Sequence, residues 1–280
     1  MATESGEPVR YEVADGVAEI VLCRPERRNA IDLALAGALR DVLARFAADA
    51  EARAAVLRGD GAGFCSGGDV SLFPELVGDG AEDFIRQLGP SIHEAIAGSA
   101  KPVVAAVHGF CVAGGFELAL ACQFVYASRD AVFGMEEVKL GLLPGWGGTV
   151  RLATAVPPRL ATELLLTGRR LPAEEARDCG AVNRVLDSPQ ECLSAARETA
   201  RRMAGMPAHA VARILAVVRA AAAPAPAAME VEREAAVALM RDDRTQERIA
   251  AVLSRGVGRA ARRSGDTEID EREAAWRATR

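Results

Sequence analysis

Apolar and polar residues alternate at the start of the chain and then change to a helical spacing. The alternation over 9–14 and the apolar run over 17–22 flank Asp15-Gly16, a pair that favours the positive φ angles of a tight turn. This pattern predicts a β-hairpin. Beyond Asp32, which can cap a helix, apolar residues recur along one helical face at Leu35, Leu39, Val42, Leu43 and Phe46. We therefore expect a hairpin followed by a helix that packs on the same sheet.

Short apolar runs farther along the chain each precede a glycine-rich segment and then a helical pattern. The two clearest runs are 54–57 and 103–107, and further strands are predicted at 124–127 and 131–133. Strand, loop and helix repeated in this way are typical of an α/β fold with a mainly parallel sheet.

The last third of the sequence has a different organisation. From about Ser188 the pattern is helical throughout, and Pro207 and the Ala-Pro-Ala-Pro stretch at 223–226 mark breaks between helices. Beyond about Gly256 the sequence is rich in arginine and then mixed in charge, and Trp276 is a rare apolar residue there. We expect three parts, namely an α/β core over 1–190, a helical lobe over 191–256 and a loosely ordered tail over 257–280.

Composition limits the kinds of partner that the chain can have. The 280 residues are half apolar and carry a formal net charge of −5, which fits a large buried core without a concentrated basic surface. Nucleic acid is therefore not expected as a partner. The first ten residues do not have a basic segment followed by an apolar one, so we expect a cytoplasmic protein.

The apolar stretch from Pro102 to Ala127 has about the length of a membrane span. It contains His108, Glu117 and several glycines, which are unfavourable in lipid, so we interpret it as a buried strand, loop and helix and expect no membrane association. The six cysteines are scattered without a C-x-x-C pair, and the three histidines lie far apart. Reduced thiols and no metal site are therefore expected.

Two glycine-rich loops follow predicted strands. The first covers 61–69, and the second covers 108–117, where Gly114 and Gly115 begin a predicted helix. Glycines let the backbone approach a ligand and leave N–H groups free to donate, and a helix start adds a positive dipole. Two such loops on neighbouring strands can each direct one N–H group at a single oxygen atom, as an oxyanion requires. Either loop alone is equally well explained as a tight strand-to-helix turn.

Three glutamates are candidates for acid–base chemistry. Glu117 lies three residues after Gly114, so on a helix the two share a face, and apolar neighbours are expected to raise the pKa of its carboxyl group. A structural carboxylate at the helix start is the alternative. Glu136 and Glu137 follow a predicted strand, and adjacent residues of an extended chain point to opposite faces. We therefore expect only one of these two to enter the site, and the residues themselves do not decide which.

Four segments stand together in the order and spacing of one known family. Phe64–Asp69, Gly109–Glu117, Phe133–Glu137 and Pro144–Thr149 resemble the motifs of the crotonase (enoyl-CoA hydratase/isomerase) family, and the similarity extends from about residue 9 to 256. The resemblance implies a crotonase-like core sheet of repeated ββα units and a C-terminal helical lobe that helps to form trimers. It further implies a homotrimer or a homohexamer.

The resemblance also implies roles for individual residues. The backbone N–H groups of Gly68 and Gly114 are expected to bind the thioester carbonyl, and the catalytic carboxylates are expected to be Glu117 and Glu137 rather than Glu136. Coenzyme A is expected as the acyl carrier of the substrate, and no separate cofactor is expected. The implied substrate-binding residues are Arg28, Ala30, Ser66, Gly68, Asp69, Val70, Gly114 and Gly145.

Both glutamates are present, as in the hydratases of the family, so we expect an enoyl-CoA hydratase. In this hypothesis Glu117 deprotonates water for attack at the β-carbon, Glu137 protonates the α-carbon, and the two amides stabilise the enolate-like transition state. A 3,2-enoyl-CoA isomerase, or another acyl-CoA enolate enzyme of the family, is the nearest alternative.

Two other hypotheses belong to different classes. A hydrolase that uses Ser66 or Cys65 with His108 would need an orienting acid, and the first loop does not have the G-x-S-x-G sequence. A non-catalytic subunit that binds acyl-CoA is the other alternative, because a fold does not determine a function.

Overall fold

The computed structural model describes residues 6–75, 79–222 and 226–262. The strands are β1 (Val9–Ala14), β2 (Val17–Leu22), β3 (Ala54–Gly59), β4 (Val103–Val107), β5 (Phe110–Val112), β6 (Phe124–Ser128), β7 (Val132–Gly134), β8 (Leu171–Pro172) and β9 (Arg184–Leu186). The α-helices are α1 (Leu33–Ala48), α2 (Asp79–Asp83), α3 (Gly89–Ala97), α4 (Gly114–Ala121), α5 (Gly148–Ala155), α6 (Pro158–Thr167), α7 (Ala173–Asp178), α8 (Pro189–Ala204), α9 (Ala208–Ala222), α10 (Pro226–Met240) and α11 (Asp243–Arg262). Single 3-10 turns lie at Pro25–Arg27, Val70–Glu75 and Glu137–Leu140, and a π-helical turn lies at Phe84–Leu88.

A six-stranded sheet in the order β1-β2-β3-β4-β6-β9 forms the framework. The hairpin β1-β2 is antiparallel, and every other neighbouring pair in this sheet is parallel. A second sheet of order β5-β7-β8 lies at the ends of the parallel strands, because β5 follows β4 and β7 follows β6. The successions β1-β2-α1 and β4-β5-α4 are the repeated ββα units that the sequence predicted.

The local predictions from hydrophobic pattern are confirmed. Asp15 and Gly16 both have positive φ angles in the β1-β2 turn, and the Asp32 side chain accepts a hydrogen bond from the Leu35 N–H at the start of α1. The apolar stretch from residue 102 to 127 forms β4, β5 and α4, a strand, loop and buried helix as predicted.

Helices cover both faces of the large sheet. Residues such as Ala55 and Leu57 of β3 join the core formed with α1 and α3, whereas Ala54 and Val56 face α8. Ala236, Val237, Met240 and Ile249, from α10 and α11, belong to the first of these cores. The helices after residue 190 are therefore not only an appendage, because they contribute buried side chains to the core.

Helix continues beyond the residue at which the sequence predicted the tail to begin. Helix α11 continues to Arg262, past the expected end of the helical lobe at about Gly256, because alanine and arginine in 257–262 favour helix. The rest of the expected tail, with Trp276, and most of the break predicted at 223–226 lie outside the described residues. The division at 190 and 256 and the trimerisation role of the lobe stay predictions.

Membrane-spanning character was tested on the described residues. None of their helices is by itself long and apolar enough to cross a membrane, and by length and composition only the bent pair α9 and α10 meets that test together.

Asn29 fixes the loop that follows β3. It is fully buried, has a φ angle of 53°, and its Oδ1 accepts the Arg24 N–H at 2.9 Å. Its Nδ2 donates to the carbonyl oxygens of Asp60, Gly63 and Phe64 at 2.9, 3.1 and 3.1 Å. The Asn29 side chain thus links the turn before α1 to the first glycine-rich loop and fixes the position of that loop.

We expect Asn29→Asp to lower the free energy of unfolding by about 3 kcal/mol, because a carboxylate tolerates positive φ but cannot donate to three buried carbonyl groups. Urea denaturation followed by circular dichroism measures the loss. The reciprocal change at another positive-φ position, Asp15→Asn in the exposed hairpin turn, should alter stability by less than about 0.5 kcal/mol. Equal losses in the two variants would show that the Asn29 hydrogen bonds do not stabilise the loop.

Candidate active site

The first glycine-rich loop presents the N–H group of Gly68 to a cavity. Ile31 donates to the Gly67 carbonyl at 2.8 Å, and Asp69 donates to the Ile31 carbonyl at 2.9 Å. Both residues that flank Gly68 therefore form hydrogen bonds with Ile31. In such a parallel bridge the N–H of Gly68 itself points away from Ile31. Gly68 lines the cavity on that side, and no group of the described residues accepts its N–H.

The second loop presents the N–H group of Gly114. Ala113 has φ 51° and ψ −132°, a conformation that costs a non-glycine residue about 1–3 kcal/mol. It is held there because its N–H donates to the Gly134 carbonyl at 2.7 Å, and its own carbonyl accepts from Phe116 and Glu117. Gly114 is the first residue of α4, so its N–H has no intrahelical acceptor, and it lines the cavity that Gly68 lines.

The two loops are in direct contact. A Cβ atom added to Gly67 would lie 2.8 Å from the Gly114 nitrogen and 2.6 Å from the Ala113 Cβ, and Gly67 also has a φ of +91°. Glycine is required there by both distance and backbone angle. The cavity beside this contact has a volume of about 330 Å³, and Glu117 and Glu137 line it too. The structure thus brings together the two amides and two acids that the sequence predicted.

Glu117 is buried in the first turn of α4, with only 2% of its surface exposed. Its Oε1 accepts the N–H groups of Trp146 at 2.9 Å and Gly148 at 2.7 Å, at the start of α5. A Cβ at Gly148 would lie 2.5 Å from the Glu117 Cγ, so only glycine leaves room for this carboxylate. Burial raises the pKa of Glu117, as do the charges of Glu137 and a third acid, Glu232, while the two N–H donors oppose the shift.

Glu137 is the first residue of the 3-10 turn Glu137–Leu140 that follows β7. Its side chain is half-buried, and its Oε2 is buried without a hydrogen-bond partner among the described residues. Burial raises the pKa of Glu137 to about 8, and the charges of Glu136 and Glu232 act in the same direction. Burial therefore favours the protonated form of this carboxyl group.

The expectation that only one of Glu136 and Glu137 enters the site is wrong, because both line the cavity. The chain is not extended there: Glu136 has φ −96° and ψ 2°, which begins a 3-10 turn, and successive side chains then diverge by about 120°. The two carboxyl groups still differ, since that of Glu136 forms ion pairs with Lys139 and Arg170.

Sequence reasoning missed the third buried acid, Glu232 on α10, which is 4% exposed. Its Oε1 accepts the Gly147 N–H at 2.5 Å, and its Oε2 accepts the Val150 N–H at 3.1 Å. Two carboxylates, from α4 and α10, therefore hold the N-terminus of α5. A signal existed, because Glu232 precedes the apolar Ala236 by four residues and so shares its face.

The predicted substrate-binding residues divide into two groups. Ser66, Gly68, Val70, Gly114 and Gly145 line the cavity.

Arg28, Ala30 and Asp69 do not line it. The Arg28 guanidinium lies 4.3 Å from the centre of the Phe110 ring, Ala30 is buried, and Asp69 is bound by Arg27 at 3.2 Å and by Ser71. The Arg28 carbonyl accepts the Ser66 N–H at 3.1 Å, so this group lies directly behind the first loop.

The residues of a hydrolase are present but are not arranged for it. His108 Nε2 lies 2.9 Å from the Gly61 carbonyl oxygen, and the Cys65 thiol donates to the Asn29 carbonyl. Cys65 is fully buried, and burial raises the pKa of its thiol to about 12. A buried protonated thiol bonded to a carbonyl is not an activated nucleophile.

Comparison with known proteins agrees with this geometry. The sequence matches the family model described as enoyl-CoA hydratase/isomerase over residues 12–256. The chain belongs to the enoyl-CoA hydratase/isomerase family. Members of this crotonase family act on acyl-CoA substrates, so the chain is an enzyme of that family. The resemblance found in the four sequence segments is thereby confirmed.

Curated relatives within the family include carnitinyl-CoA dehydratases from Salmonella enteritidis and Salmonella typhimurium. Each is 38% identical over 205 residues, which cover 73% of this chain and 77% of the relative. The name dehydratase denotes a hydro-lyase, which supports the lyase class for this chain.

Solved structures show the same fold. An enoyl-CoA hydratase/isomerase from Xanthobacter autotrophicus Py2 has a TM-score of 0.83 at 30% identity, covering 91% of this chain and 96% of its own. An enoyl-CoA hydratase from Mycobacterium avium subsp. paratuberculosis K-10 has a TM-score of 0.79 at 28% identity, with 89% and 100% covered. The predicted crotonase-like α/β fold with C-terminal helices is therefore confirmed.

The raised pKa of Glu137 predicts a pH dependence of stability. Between about pH 4.3, where a glutamate of the unfolded chain titrates, and about pH 8, the folded protein holds a proton that the unfolded chain has lost. The free energy of unfolding should therefore fall as pH rises through this range. Glu137→Gln removes this titrating group. Between about pH 5.5 and pH 8 the free energy of unfolding of the variant should therefore fall less than that of the wild type, as measured by urea denaturation.

The exposed Glu163→Gln serves as the control and should follow the wild type across the same range. A Glu137→Gln variant whose stability falls with pH as steeply as that of the wild type would contradict the assignment.

Proposed function

We propose that this enzyme is an enoyl-CoA hydratase, which adds water across the 2,3-double bond of a 2-enoyl-CoA thioester. The observation that supports this most directly is the meeting of Glu117 and Glu137 with the free amides of Gly68 and Gly114 at one cavity. Hydration of a conjugated thioester needs a base for water, an acid for the α-carbon and donors for the developing oxyanion.

Burial raises the pKa of both acids, but the hydrogen bonds that they accept differ. Glu117 receives two N–H groups at the start of a helix, and both the hydrogen bonds and the helix dipole favour its ionised form. Glu137 has a buried oxygen without a described donor, and burial raises its pKa to about 8, so its surroundings favour its protonated form. We assign Glu117 as the base that deprotonates water and Glu137 as the acid that protonates the α-carbon.

The amides of Gly68 and Gly114 form the proposed oxyanion hole. Each N–H is bound more strongly by an enolate oxygen than by a thioester carbonyl, so the pair stabilises the transition state more than the substrate. Removal of one such donor typically costs about 3 kcal/mol. The donors are preorganised because the first is set by the bridge to Ile31 and the second by the strained Ala113.

Coenzyme A is proposed as the acyl carrier, bound at the mouth of the cavity. Arg27 and Arg28 are exposed beside the first loop, and their charges suit the phosphate groups of the coenzyme. Ala30 and the loop from Ser66 to Val70 would contact its pantetheine portion. Dehydration, the reaction named for the Salmonella relatives, would be the same chemistry in reverse.

A homotrimer or homohexamer is proposed as the assembly. Helix α9 has no buried residue, and it exposes Ile214, Val217 and Val218 to between 56 and 68%. A contiguous exposed apolar face of this kind favours contact with another subunit.

Substitution of the two acids tests the catalytic assignment. Glu117→Gln and Glu137→Gln should each lower kcat for crotonyl-CoA hydration by about 10²–10⁴, because each removes one proton-transfer group. Loss of absorbance of the conjugated thioester measures the rate, and calorimetry with butyryl-CoA should show that binding survives. Glu163→Gln is the control for an exposed glutamate.

Unchanged turnover in both active-site variants would refute the assignment. A wild-type enzyme that shifts the double bond of a 3-enoyl-CoA but does not hydrate crotonyl-CoA would identify the isomerase alternative. In that reaction Glu137 alone would move the proton between carbons. One solved relative, from M. smegmatis, is described as a monofunctional enoyl CoA isomerase and has a TM-score of 0.67 at 27% identity.

The assembly is tested on α9. The double variant Ile214→Glu with Val218→Glu places two charges one helical turn apart on the apolar face, and it should dissociate the oligomer to monomers. Size-exclusion chromatography with light scattering gives the mass. Thr162→Glu, an exposed change on α6, should leave the mass unchanged, and a wild type that is itself monomeric would rule out the proposed assembly.

A further inference from the structure

Trp146 lies at the centre of the cavity wall, with 5% of its surface exposed. Its backbone N–H is bound to Glu117, so its main chain is fixed at the proposed base. Its side chain extends from there along the cavity towards the segment that precedes α3. The residue therefore joins the acid–base pair to the apolar part of the cavity.

The indole ring is held in one position. Its Nε1–H donates to the Phe84 carbonyl at 3.3 Å, and its ring lies 5.1 Å from the Phe84 ring and 5.4 Å from the His93 ring, measured between centres. Phe73 also packs on Phe84, with 5.8 Å between ring centres. A ring with a hydrogen bond and aromatic neighbours on two sides does not change rotamer at low cost.

The same ring touches glycines on both of its edges. A Cβ atom added to Gly114 would lie 2.6 Å from the indole Cζ3, and one added to Gly68 would lie 3.4 Å from its Cη2. At the opposite edge, a Cβ added to Gly89 would lie only 1.8 Å from the indole Cδ1. The ring therefore spans the distance from the two proposed oxyanion donors to the first residue of α3, and Gly89 is what leaves room for it.

This placement limits the acyl group. A thioester carbonyl bound by Gly68 and Gly114 would put the carbons of its acyl chain beside the indole, because the ring contacts both glycines. We infer that Trp146 is a specificity-determining residue: with Gly89 it closes the acyl end of the cavity and restricts the enzyme to short-chain thioesters. The inference rests on the proposed function for the direction in which substrate binds.

Truncation of the ring tests the inference by two independent readouts. Trp146→Ala keeps the backbone N–H that binds Glu117 and removes the wall, so the ratio of kcat/KM for 2-octenoyl-CoA to that for crotonyl-CoA should rise about tenfold or more above the wild-type ratio. In calorimetry, which needs no turnover, the affinity for octanoyl-CoA relative to butyryl-CoA should rise as well. Trp146→Phe should give intermediate values for both ratios.

A substitution at Gly89 tests the same wall by adding volume instead of removing it. Gly89→Ala should displace the indole and lower the melting temperature, and the double variant with Trp146→Ala should lose less stability than the sum of the two single losses, because the added methyl group then has room. Phe46→Leu trims a fully buried ring outside the cavity lining and controls for a general loss of packing, so it should leave both chain-length ratios at the wild-type value.

The possible outcomes distinguish the role of Trp146 from the hydratase proposal. A wild type that binds and hydrates octenoyl and crotonyl thioesters equally well, or a Trp146→Ala variant with unchanged ratios, would overturn the role of Trp146 and leave the hydratase proposal standing. Absence of hydration with every thioester, together with a binding ratio that shifts in Trp146→Ala, would refute the hydratase and support Trp146 as the wall.

Discussion

The N-terminus of α5, held by two buried carboxylates, is the constraint on which the rest of the site depends. A helix start leaves N–H groups without acceptors, and burial away from water would make them costly. Glu117 takes those of Trp146 and Gly148, and Glu232 takes those of Gly147 and Val150. Each acid in turn receives hydrogen bonds that a buried carboxylate needs. The loop before α5, Glu117 and the C-terminal helix α10 therefore hold one another in place.

The charges of neighbouring acids raise the pKa values of Glu117 and Glu137, and hydrogen bonds from the backbone act in the opposite direction. Burial is the largest cause for Glu117, Glu137 and Glu232 alike. Arg151 opposes it, because its charge interacts favourably with Glu117 and Glu232, and its side chain is anchored to the Trp146 carbonyl at 2.7 Å. Glu117 and Glu232 each accept two backbone N–H groups at the start of α5, whereas the Glu137 Oε2 has no hydrogen-bond partner among the described residues. The three acids therefore differ in their hydrogen bonds although the residue type is the same.

Features set by neighbours in sequence could be predicted, and features set by distant packing could not. The β1-β2 turn, the Asp32 cap and the glycine start of α4 are local, so the sequence contains what is needed to find them. The orientation of Glu136 and Glu137 depends on a 3-10 turn that adjoins α6 and α11, and the extended geometry assumed from the preceding strand was wrong. Glu232 was missed because Glu230 and Glu234 lie beside it in the sequence, and its spacing of four from Ala236 is a weaker signal than the packing of α10, which buries it.

Chemistry and substrate shape are determined in different parts of this molecule. The groups proposed to act on the substrate are two backbone amides and two carboxylates, and main-chain hydrogen bonds position both amides and Glu117. The apolar wall consists instead of side chains from the turns at Val70–Glu75 and Phe84–Leu88, from β5, from residues 140–143, from α10 and α11, and from Trp146. Among the described residues of the cavity wall, Trp146 contributes to both parts, because its N–H binds Glu117 while its indole contacts the glycines. A change in its side chain would therefore reshape the apolar wall without removing any donor to Glu117, which is what the proposed role of Trp146 in acyl specificity requires.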